Sequence, residues 1–377
     1  MVDGHGVFAM SCHAKQTTVV WVHQHSSTPP AEKIDGVRLA DLTTLRVGGS
    51  PRHAYRARTS EELARTVSLI DAARTPLLIV GGGSNLVVAE GDLDLVVVIA
   101  ANDTIEVNAD GVPGLVRAGA GAVWDDVVAA TVEAGLSGIE TLSGIPGSAG
   151  ATPVQNVGAY GAEVSDVLTR VHLYNRETGV TEWVPAGSLD LAYRYSNLKF
   201  TGRAAVLDVE MQLTPTGSEG VSIPLRHLDG ERLPLVEARE EILRVRASKG
   251  MVLDPADHDT WSAGSFFTNP VVSVAIADEV ASKVGADAAT MPRYPQPDGM
   301  VKLSAAWIIE RAGFPRGFPG ADASARLSTK HTLALTNRGS ATADDIVALA
   351  RTIRDGVRDY FGVTLVPEPV WVGVSLD

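Results

Sequence analysis

The chain has 377 residues, of which 45% are hydrophobic and 20% charged, a composition typical of a globular protein with two or three packed units. A formal charge of −13 argues against a nucleic-acid-binding protein, because neutralising phosphates requires a basic surface. The longest apolar stretch, around residues 93–101, is about half as long as a membrane helix requires.

The start of the chain has no basic segment leading into an apolar core, as a signal peptide would. Cys12 is the only cysteine, which excludes a disulfide within the chain and fits a reducing compartment. We therefore expect a cytoplasmic protein. We interpret residues 1–36 as a disordered extension; a metal site at His23 and His25 is the alternative, and we expect no metal.

Regular patterns begin near residue 39. Thr59 and Glu62 predict a capping box at the start of a helix. The other predicted elements are strands over 76–80 and 86–88, a helix over 124–134 ending at Gly135, strands over 167–173 and 204–213, helices over 235–248, 304–312 and 342–361, and β-like segments over 363–366 and 370–374. This order predicts an α+β protein with an α/β unit (37–100), a glycine-rich sheet unit (101–215), a separate α/β domain (216–362) and a closing segment (363–377).

The first glycine-rich loop, residues 81–85, invites a nucleotide-binding interpretation. A Rossmann fingerprint would have its third glycine where this chain has Leu86, and the following residues resemble a strand rather than a helix. A Walker A loop is excluded because no lysine follows a glycine anywhere in the chain. A strand–loop–strand remains, whose backbone amides either cradle a pyrophosphate or form a tight structural turn.

The second glycine-rich segment, residues 143–161, holds Gly144, Gly147, Gly150, Gly158 and Gly161 among other small residues. Such a run with so few charges is typical of backbone lying against a long aromatic cofactor, although structural turns are the alternative.

Seven collinear blocks resemble the MurB reductases, and the resemblance spans about residues 39–374. The blocks are TTLRVGGSP (43–51), VGGGSNLVV (80–88), SGIPGSAGATPVQNVGAYG (143–161), YRYSNLKF (193–200), GSFFTNP (264–270), PDGMVKLSAAWIIERAG (297–313) and VPEPV (366–370). One glycine motif would be a weak signal, but seven blocks in order are specific.

The resemblance implies a vanillyl-alcohol-oxidase-like (PCMH-like) fold, in which units 37–100 and 101–215 bind noncovalent FAD, domain 216–362 binds substrate, and 363–377 returns to the FAD units. It also implies that NADPH reduces FAD, which then reduces the enolpyruvyl ether of UDP-N-acetylglucosamine to UDP-N-acetylmuramate. We expect a monomer acting on small molecules, without a nucleic-acid or membrane partner.

Residue by residue, the resemblance implies FAD contacts from the three glycine-containing blocks. These residues are Val47, Gly48, Gly49, Gly81, Gly82, Gly83, Ser84, Asn85, Gly144, Gly147, Ser148, Gly150, Ala151, Thr152, Gln155, Asn156, Gly158, Ala159 and Gly161.

The resemblance also implies three catalytic residues. Arg194 binds the substrate carboxylate, for which a guanidinium fork is suited. Ser265 donates a proton to the α-carbon, and Glu368 stabilises the intermediate or relays the proton. The implied substrate-binding residues are Tyr193, Lys249, Asn269, His331 and His227. His227 is a departure, because many longer family members have a tyrosine in the corresponding substrate-covering loop.

Two other functions are compatible with parts of this pattern. One is an alcohol or sugar oxidase of the same fold with noncovalent FAD, since the first flavin loop has no His or Cys to tether the cofactor. The other is a nucleotide-sugar-binding protein without activity. The joint presence of Arg194, Ser265 and Glu368 argues against this second function.

Overall fold

The computed structural model describes residues 29–216 and 220–377. The first unit is a four-stranded sheet in the order Glu32–Ile34, Ser50–Ala57, Asp92–Ala100, Leu77–Val80. The first pair is antiparallel and the other two pairs are parallel. Val96 and Val98 enter one hydrophobic core while Val97 and Ile99 enter another. The second half of this strand, residues 95–100, is therefore apolar at every position because both of its faces are covered.

The first helix, α1 (Ser60–Ala72), packs against this sheet. The Thr59 hydroxyl accepts a hydrogen bond from the Glu62 amide, as predicted. The Glu62 carboxylate accepts from the Arg58 amide rather than from Thr59, so only half of the predicted capping box forms. The prediction of a disordered extension is wrong for residues 32–34, which pair with the next strand, and the histidines of that extension lie outside the described residues.

The second unit is a five-stranded antiparallel sheet. Its strand order is Thr181–Pro185, Leu168–Asn175, Ala204–Gln212, Leu115–Gly119, Ile105–Val107, and two short pairs lie beside it, Leu136–Ser137 with Thr214–Pro215 and Gly158–Ala159 with Ala162–Glu163. Helix α2 (Trp124–Glu133) shares its hydrophobic core. The helix ends as predicted, with Gly135 in the left-handed region at φ 70°.

Helix α3 (Leu235–Ser248) also packs against the second unit. Leu235 belongs to that unit's core, and the Arg239 guanidinium makes two hydrogen bonds to the Asp125 carboxylate, at 2.6 and 2.8 Å. The predicted domain boundaries stay predictions, but this helix, assigned from the sequence to the third domain, covers the glycine-rich unit.

The last part of the chain has its own core. Its strands are Val271–Ser273, Met300–Leu303 and Arg293–Pro295 in one sheet and Ala325–Leu327 with Leu335–Asn337 in another, and its helices are α4 (Val274–Val284), α5 (Ala305–Arg311) and α6 (Ala343–Phe361). Helix α6 begins at a complete capping box between Thr342 and Asp345 and ends before Gly362, which has φ 74°. The predicted helix over 342–361 is confirmed.

The closing segment returns to the first glycine loop. Val370–Val372 pairs in parallel with Leu86–Val88, the strand that follows that loop. The predicted β-like segment over 363–366 is wrong: Val363 and Leu365 are buried in the core of the last part without joining a sheet. Pairing at Val370 brings the preceding Glu368 to the loop over residues 81–85.

Candidate active site

A cavity of about 650 Å³, the central cavity, is lined by residues of both glycine-rich segments, the 193–206 segment, the 246–269 segment and the C-terminal segment. Apolar walls with a few converging polar groups are typical of small-molecule sites. The predicted site residues that line it are Gly81, Gly82, Gly83, Ser84, Asn85, Gly147, Ser148, Gly150, Ala151, Thr152, Gln155, Gly158, Ala159, Tyr193, Arg194, Ser265, Asn269 and Glu368.

The two glycine loops touch through their backbones. A Cβ atom on Gly82 would lie 2.5 Å from the Gly147 Cα, and one on Gly81 would collide with the Ser148 hydroxyl. Side chains at these positions would fill the groove between the loops. The loops therefore form a cradle that leaves backbone amides free to approach a cofactor.

Asn85 joins the first loop to the other walls of the cavity. Its side-chain amide donates to the Gln155 side-chain oxygen at 2.6 Å and to the Glu368 carbonyl at 3.4 Å. The Glu368 amide in turn donates to the carbonyl of Phe266 at 2.9 Å, and Phe266 directly follows Ser265. These bonds bring the predicted proton donor and the predicted carboxylate to the same edge of the cradle.

Arg194 occupies a tight turn. Ala192 and Tyr195 exchange backbone hydrogen bonds across it, and Arg194 has φ 55°, in the left-handed region. Its guanidinium donates to the carbonyls of Asn156 and Gly158 at 3.3 and 2.5 Å, and its Nε lies 3.7 Å from a Glu368 carboxylate oxygen. The second glycine segment thus holds the guanidinium at the cavity, facing Glu368.

Glu368 is enclosed, with 13% of its side chain exposed. Burial raises its pKa above the usual glutamate range, and the positive charges of Arg194 and Lys199 oppose that rise. A carboxyl group in this setting holds a proton at higher pH than an exposed glutamate, which suits a proton relay.

Arg246 supplies an uncompensated buried charge at the cavity wall. It is 9% exposed, its terminal nitrogen donates to the Met251 carbonyl at 2.8 Å, and its Nε has no partner among the described residues. Burial lowers its pKa. No described carboxylate lies within ion-pair distance of it, because Asp125 is held by Arg239.

These features fit FAD on two counts. First, the cradle has no room for side chains, but its backbone amides can bind the phosphates of a ligand. Second, a buried arginine with an unpaired N–H donor is stabilised by a bound anion. The residues present to hold the cofactor are the two glycine loops, Asn85 and Arg246. Among the described residues, no three His, Cys, Asp or Glu side chains come together.

Three predicted FAD residues lie away from the central cavity. Val47 is buried in the core of the last part of the chain. Gly48 packs against Leu39, where a Cβ would come within 2.9 Å, and Gly49 donates its amide to the Ala89 carbonyl at 2.7 Å. The structure gives this block a packing role behind the first loop, not a place in the cavity lining.

Gly144, Asn156 and Gly161 also lie outside the lining, but they shape it. A Cβ on Gly144 would come within 2.7 Å of Leu243 on α3. The Asn156 side chain donates to the carbonyl of Ala192 at 3.2 Å, which supports the turn that carries Arg194. Gly161 leaves room for the Arg226 guanidinium, 3.3 Å from its virtual Cβ.

Tyr193 and Asn269 are the predicted substrate residues that line the cavity. The Tyr193 ring lies under the Lys302 ammonium, 4.7 Å from the ring centre. The Asn269 side-chain oxygen accepts the Ala305 amide at 2.9 Å, which caps the start of α5 and orients the amide. Both residues therefore hold defined positions at one end of the cavity.

Three predicted substrate residues lie outside the lining: Lys249, His331 and His227. Two of them, Lys249 and His227, contact Tyr160. The Lys249 ammonium is 5.5 Å from the Tyr160 ring centre, and the His227 ring makes an edge contact with the same tyrosine at 5.3 Å. Burial, then the charges of Lys249, Arg316 and Arg246, lower the pKa of His331 to about 4, so this imidazole is neutral near pH 7.

Sequence reasoning missed several residues that line the cavity. Lys199 lies in the 193–200 block, but no functional role was predicted for it. Its position between Leu198 and Phe200 is unusual for a charged residue and could have drawn attention to it. Arg176 lines the cavity too, held by Asp71 in a bidentate pair. No local signal in the sequence identifies Arg176 as a cavity residue.

Within residues 29–216 and 220–377, no helix has the length and apolarity needed to cross a bilayer.

Comparison with family models gives two matches. Residues 51–184 match the FAD binding domain, and residues 254–372 match the C-terminal domain of UDP-N-acetylenolpyruvoylglucosamine reductase.

Comparison with whole proteins gives similar results. A UDP-N-acetylenolpyruvoylglucosamine reductase 2 of Corynebacterium glutamicum is 61% identical over 91% of this chain and 97% of its own length. The reductases of Corynebacterium diphtheriae and Mycobacterium marinum are 58% and 52% identical, each over 92% of this chain and over 94% and 97% of their own lengths. A crystal structure of the Thermus caldophilus reductase (MurB) has a TM-score of 0.62 at 24% identity, covering 91% of this chain and 98% of that one.

Proposed function

The chain belongs to the MurB family, the UDP-N-acetylenolpyruvoylglucosamine reductases of peptidoglycan synthesis, and we propose that it reduces UDP-N-acetylglucosamine enolpyruvate to UDP-N-acetylmuramate with NADPH as the hydride source. It is an FAD-binding oxidoreductase, and the predicted family and FAD-binding fold are confirmed. We propose NADPH as the electron donor and assign the residue roles below.

The observation that carries this proposal is the convergence of Arg194, Glu368 and Ser265 beside the glycine cradle. The three residues are far apart in sequence, and a guanidinium 3.7 Å from a buried carboxylate is an expensive arrangement to maintain for stability alone. A reaction that develops negative charge and then takes up a proton needs both groups.

FAD, when held by the two glycine loops, would supply the hydride that reduces the β-carbon of the enolpyruvyl group. The electron pair of the double bond then lies on the α-carbon and spreads into the substrate carboxylate. Arg194 binds that carboxylate, and its positive charge stabilises the enediolate that forms. Ser265 donates its proton to the α-carbon, and Glu368 replaces the lost proton, for which its raised pKa is suited.

The rest of the substrate would occupy the end of the cavity near Tyr193 and Asn269. Lys249 is the cation proposed for the nucleotide diphosphate, and His331, neutral near pH 7, can accept or donate a hydrogen bond there. His227 would act through its edge contact with Tyr160, at the margin of this region. A nucleotide-sugar substrate made inside the cell supports a cytoplasmic enzyme, and we propose a monomer.

An anaerobic visible spectrum of the FAD-loaded protein tests the proposal. NADPH should bleach the flavin band, and addition of the enol ether should restore it. A matched sample receiving UDP-N-acetylglucosamine without the enolpyruvyl group should stay bleached. If the enol ether left the flavin bleached, while a sugar or alcohol bleached the oxidised flavin in place of NADPH and oxygen restored it, the proposed substrate would be wrong. An oxidase would then be the better assignment.

A further inference from the structure

Lys199 is a buried cation in the lining of the central cavity, with 6% of the residue exposed. Its ammonium donates a hydrogen bond to the main-chain carbonyl of Arg194 at 3.3 Å and lies 5.0 Å from the centre of the Phe200 ring. An ammonium carries three donors, so one carbonyl and one ring are a sparse setting for a buried charge. An apolar side chain would fill the same space without the loss of hydration.

The carbonyl that Lys199 holds belongs to the turn that aims Arg194. Arg194 is in the left-handed region, which is disfavoured for residues with a Cβ, so its backbone has an alternative conformation to relax into. Relaxation would rotate the peptide that carries this carbonyl. A hydrogen bond from a side chain anchored in the interior opposes that rotation and keeps the guanidinium facing Glu368.

Lys199 also acts on the charge of Glu368. The charged and titratable groups that face Glu368 are Arg194, Lys199 and Tyr193. Burial raises the pKa of Glu368, and Arg194 and then Lys199 oppose the rise. Burial lowers the pKa of Lys199, while Glu368 raises it and Arg194 lowers it further. Arg194 also lies 3.8 Å from the Glu163 carboxylate, so it is shared between two carboxylates. A charged Lys199 is therefore the second cation that offsets them, and the cluster can accept an anionic substrate.

On the basis of the proposed function, we propose that Lys199 is a positioning residue for the reduction: it holds the Arg194 turn through its carbonyl and supplies the second positive charge opposite Glu368. It acts on the substrate through these two residues. Removing it should leave the glycine cradle intact, since the Lys199 ammonium donates to the Arg194 carbonyl and not to a residue of either glycine loop.

The test compares Lys199→Met, Lys199→Arg and the control Lys283→Met in the FAD-loaded enzyme. Lys283 also donates to a main-chain carbonyl, that of Tyr360 at 2.7 Å, but it is exposed on α4. We expect Lys199→Met to lower kcat by about 10- to 100-fold, as loss of groups that orient a catalytic residue does. FAD affinity should stay the same, Lys199→Arg should recover most of kcat, and the control should match the wild type.

Two pH measurements separate this role from a purely structural one. The kcat/KM profile of Lys199→Met should move to higher pH, because Glu368 loses an opposing cation. Carboxyl-¹³C glutamate NMR, with the Glu368 signal assigned by its absence in Glu368→Gln, should show the same direction of change without any substrate. The NMR result stands even if the wild type fails to reduce the enol ether, so failure of the proposed function and failure of this inference are distinguishable.

The proposal is overturned if the Glu368 pKa is the same in wild type and Lys199→Met, or if kcat changes by less than about twofold. Should Lys199→Met fail to bind FAD, Lys199→Gln keeps a donor for the Arg194 carbonyl while removing the charge. Loss of FAD from both variants would assign Lys199 to the fold and would equally overturn the proposal.

Discussion

The contact between the two glycine loops makes a sharp prediction for Gly82→Ala. The added Cβ would lie 2.5 Å from the Gly147 Cα and 2.8 Å from the Gly147 carbonyl carbon, so no flexible side chain can move aside. Reaching an ordinary contact near 3.4 Å requires the loops to separate by about 0.9 Å. Gly82 is not in the left-handed region, so backbone strain does not confuse the result.

Overpacking of this kind costs about 1–3 kcal/mol. If the cost falls on the cradle that holds FAD, the dissociation constant rises by about 5- to 140-fold, at tenfold per 1.4 kcal/mol. Quenching of flavin fluorescence on titrating the apoprotein measures it, and urea unfolding of the apoprotein measures any cost to the fold itself. Gly187→Ala is the matched control, because nothing lies within 4 Å of a Cβ there. FAD affinity and unfolding free energy both equal to those of the control would refute the backbone-contact argument.

Three further predictions concern the site. Ser265→Ala should still bind FAD and be bleached by NADPH, while turnover of the enol ether falls by about 100-fold or more; near-normal turnover would remove Ser265 from the role of proton donor. His331→Gln should reduce the loss of stability on acidification. The folded pKa of about 4 lies below the unfolded value of 6.5, so His331 destabilises the wild type as pH falls from 6.5 to 4. Urea unfolding across that range should show a smaller slope of unfolding free energy against pH in the variant, and equal slopes would contradict the shift. His227→Ala should raise the KM for the sugar nucleotide more than it lowers kcat, and an unchanged KM in steady-state kinetics would count against a substrate contact.

Several features could be read from the chain alone because they depend on neighbours in sequence. Helix α6 follows from three- and four-residue spacing of apolar residues between a capping box and Gly362. The strand–loop–strand around residues 81–85 follows from apolar runs interrupted by glycines. The family was recognised from seven sequence blocks. No local rule explains their order and spacing, but together they are specific to one family.

Sequence position was a poor guide to which residues line the cavity. Gly48 and Gly49 lie in a matching block, yet they pack behind the first loop, because their neighbours in space are Leu39 and Ala89. The closing segment carries Glu368 to the cavity through its pairing with a strand almost 300 residues earlier, a contact that no local pattern encodes.

The sequence by itself determined the type of protein, the positions of the long helices and the glycine loops, since periodicity, caps and motif order are properties of short segments. Only the tertiary structure decided that Lys199, Arg194 and Glu368 form one cluster of charges and that Arg246 is left without a carboxylate. Burial and pairing arise when distant segments exclude water from the same volume, so a lysine in an apolar turn has no assigned partner until the chain is folded.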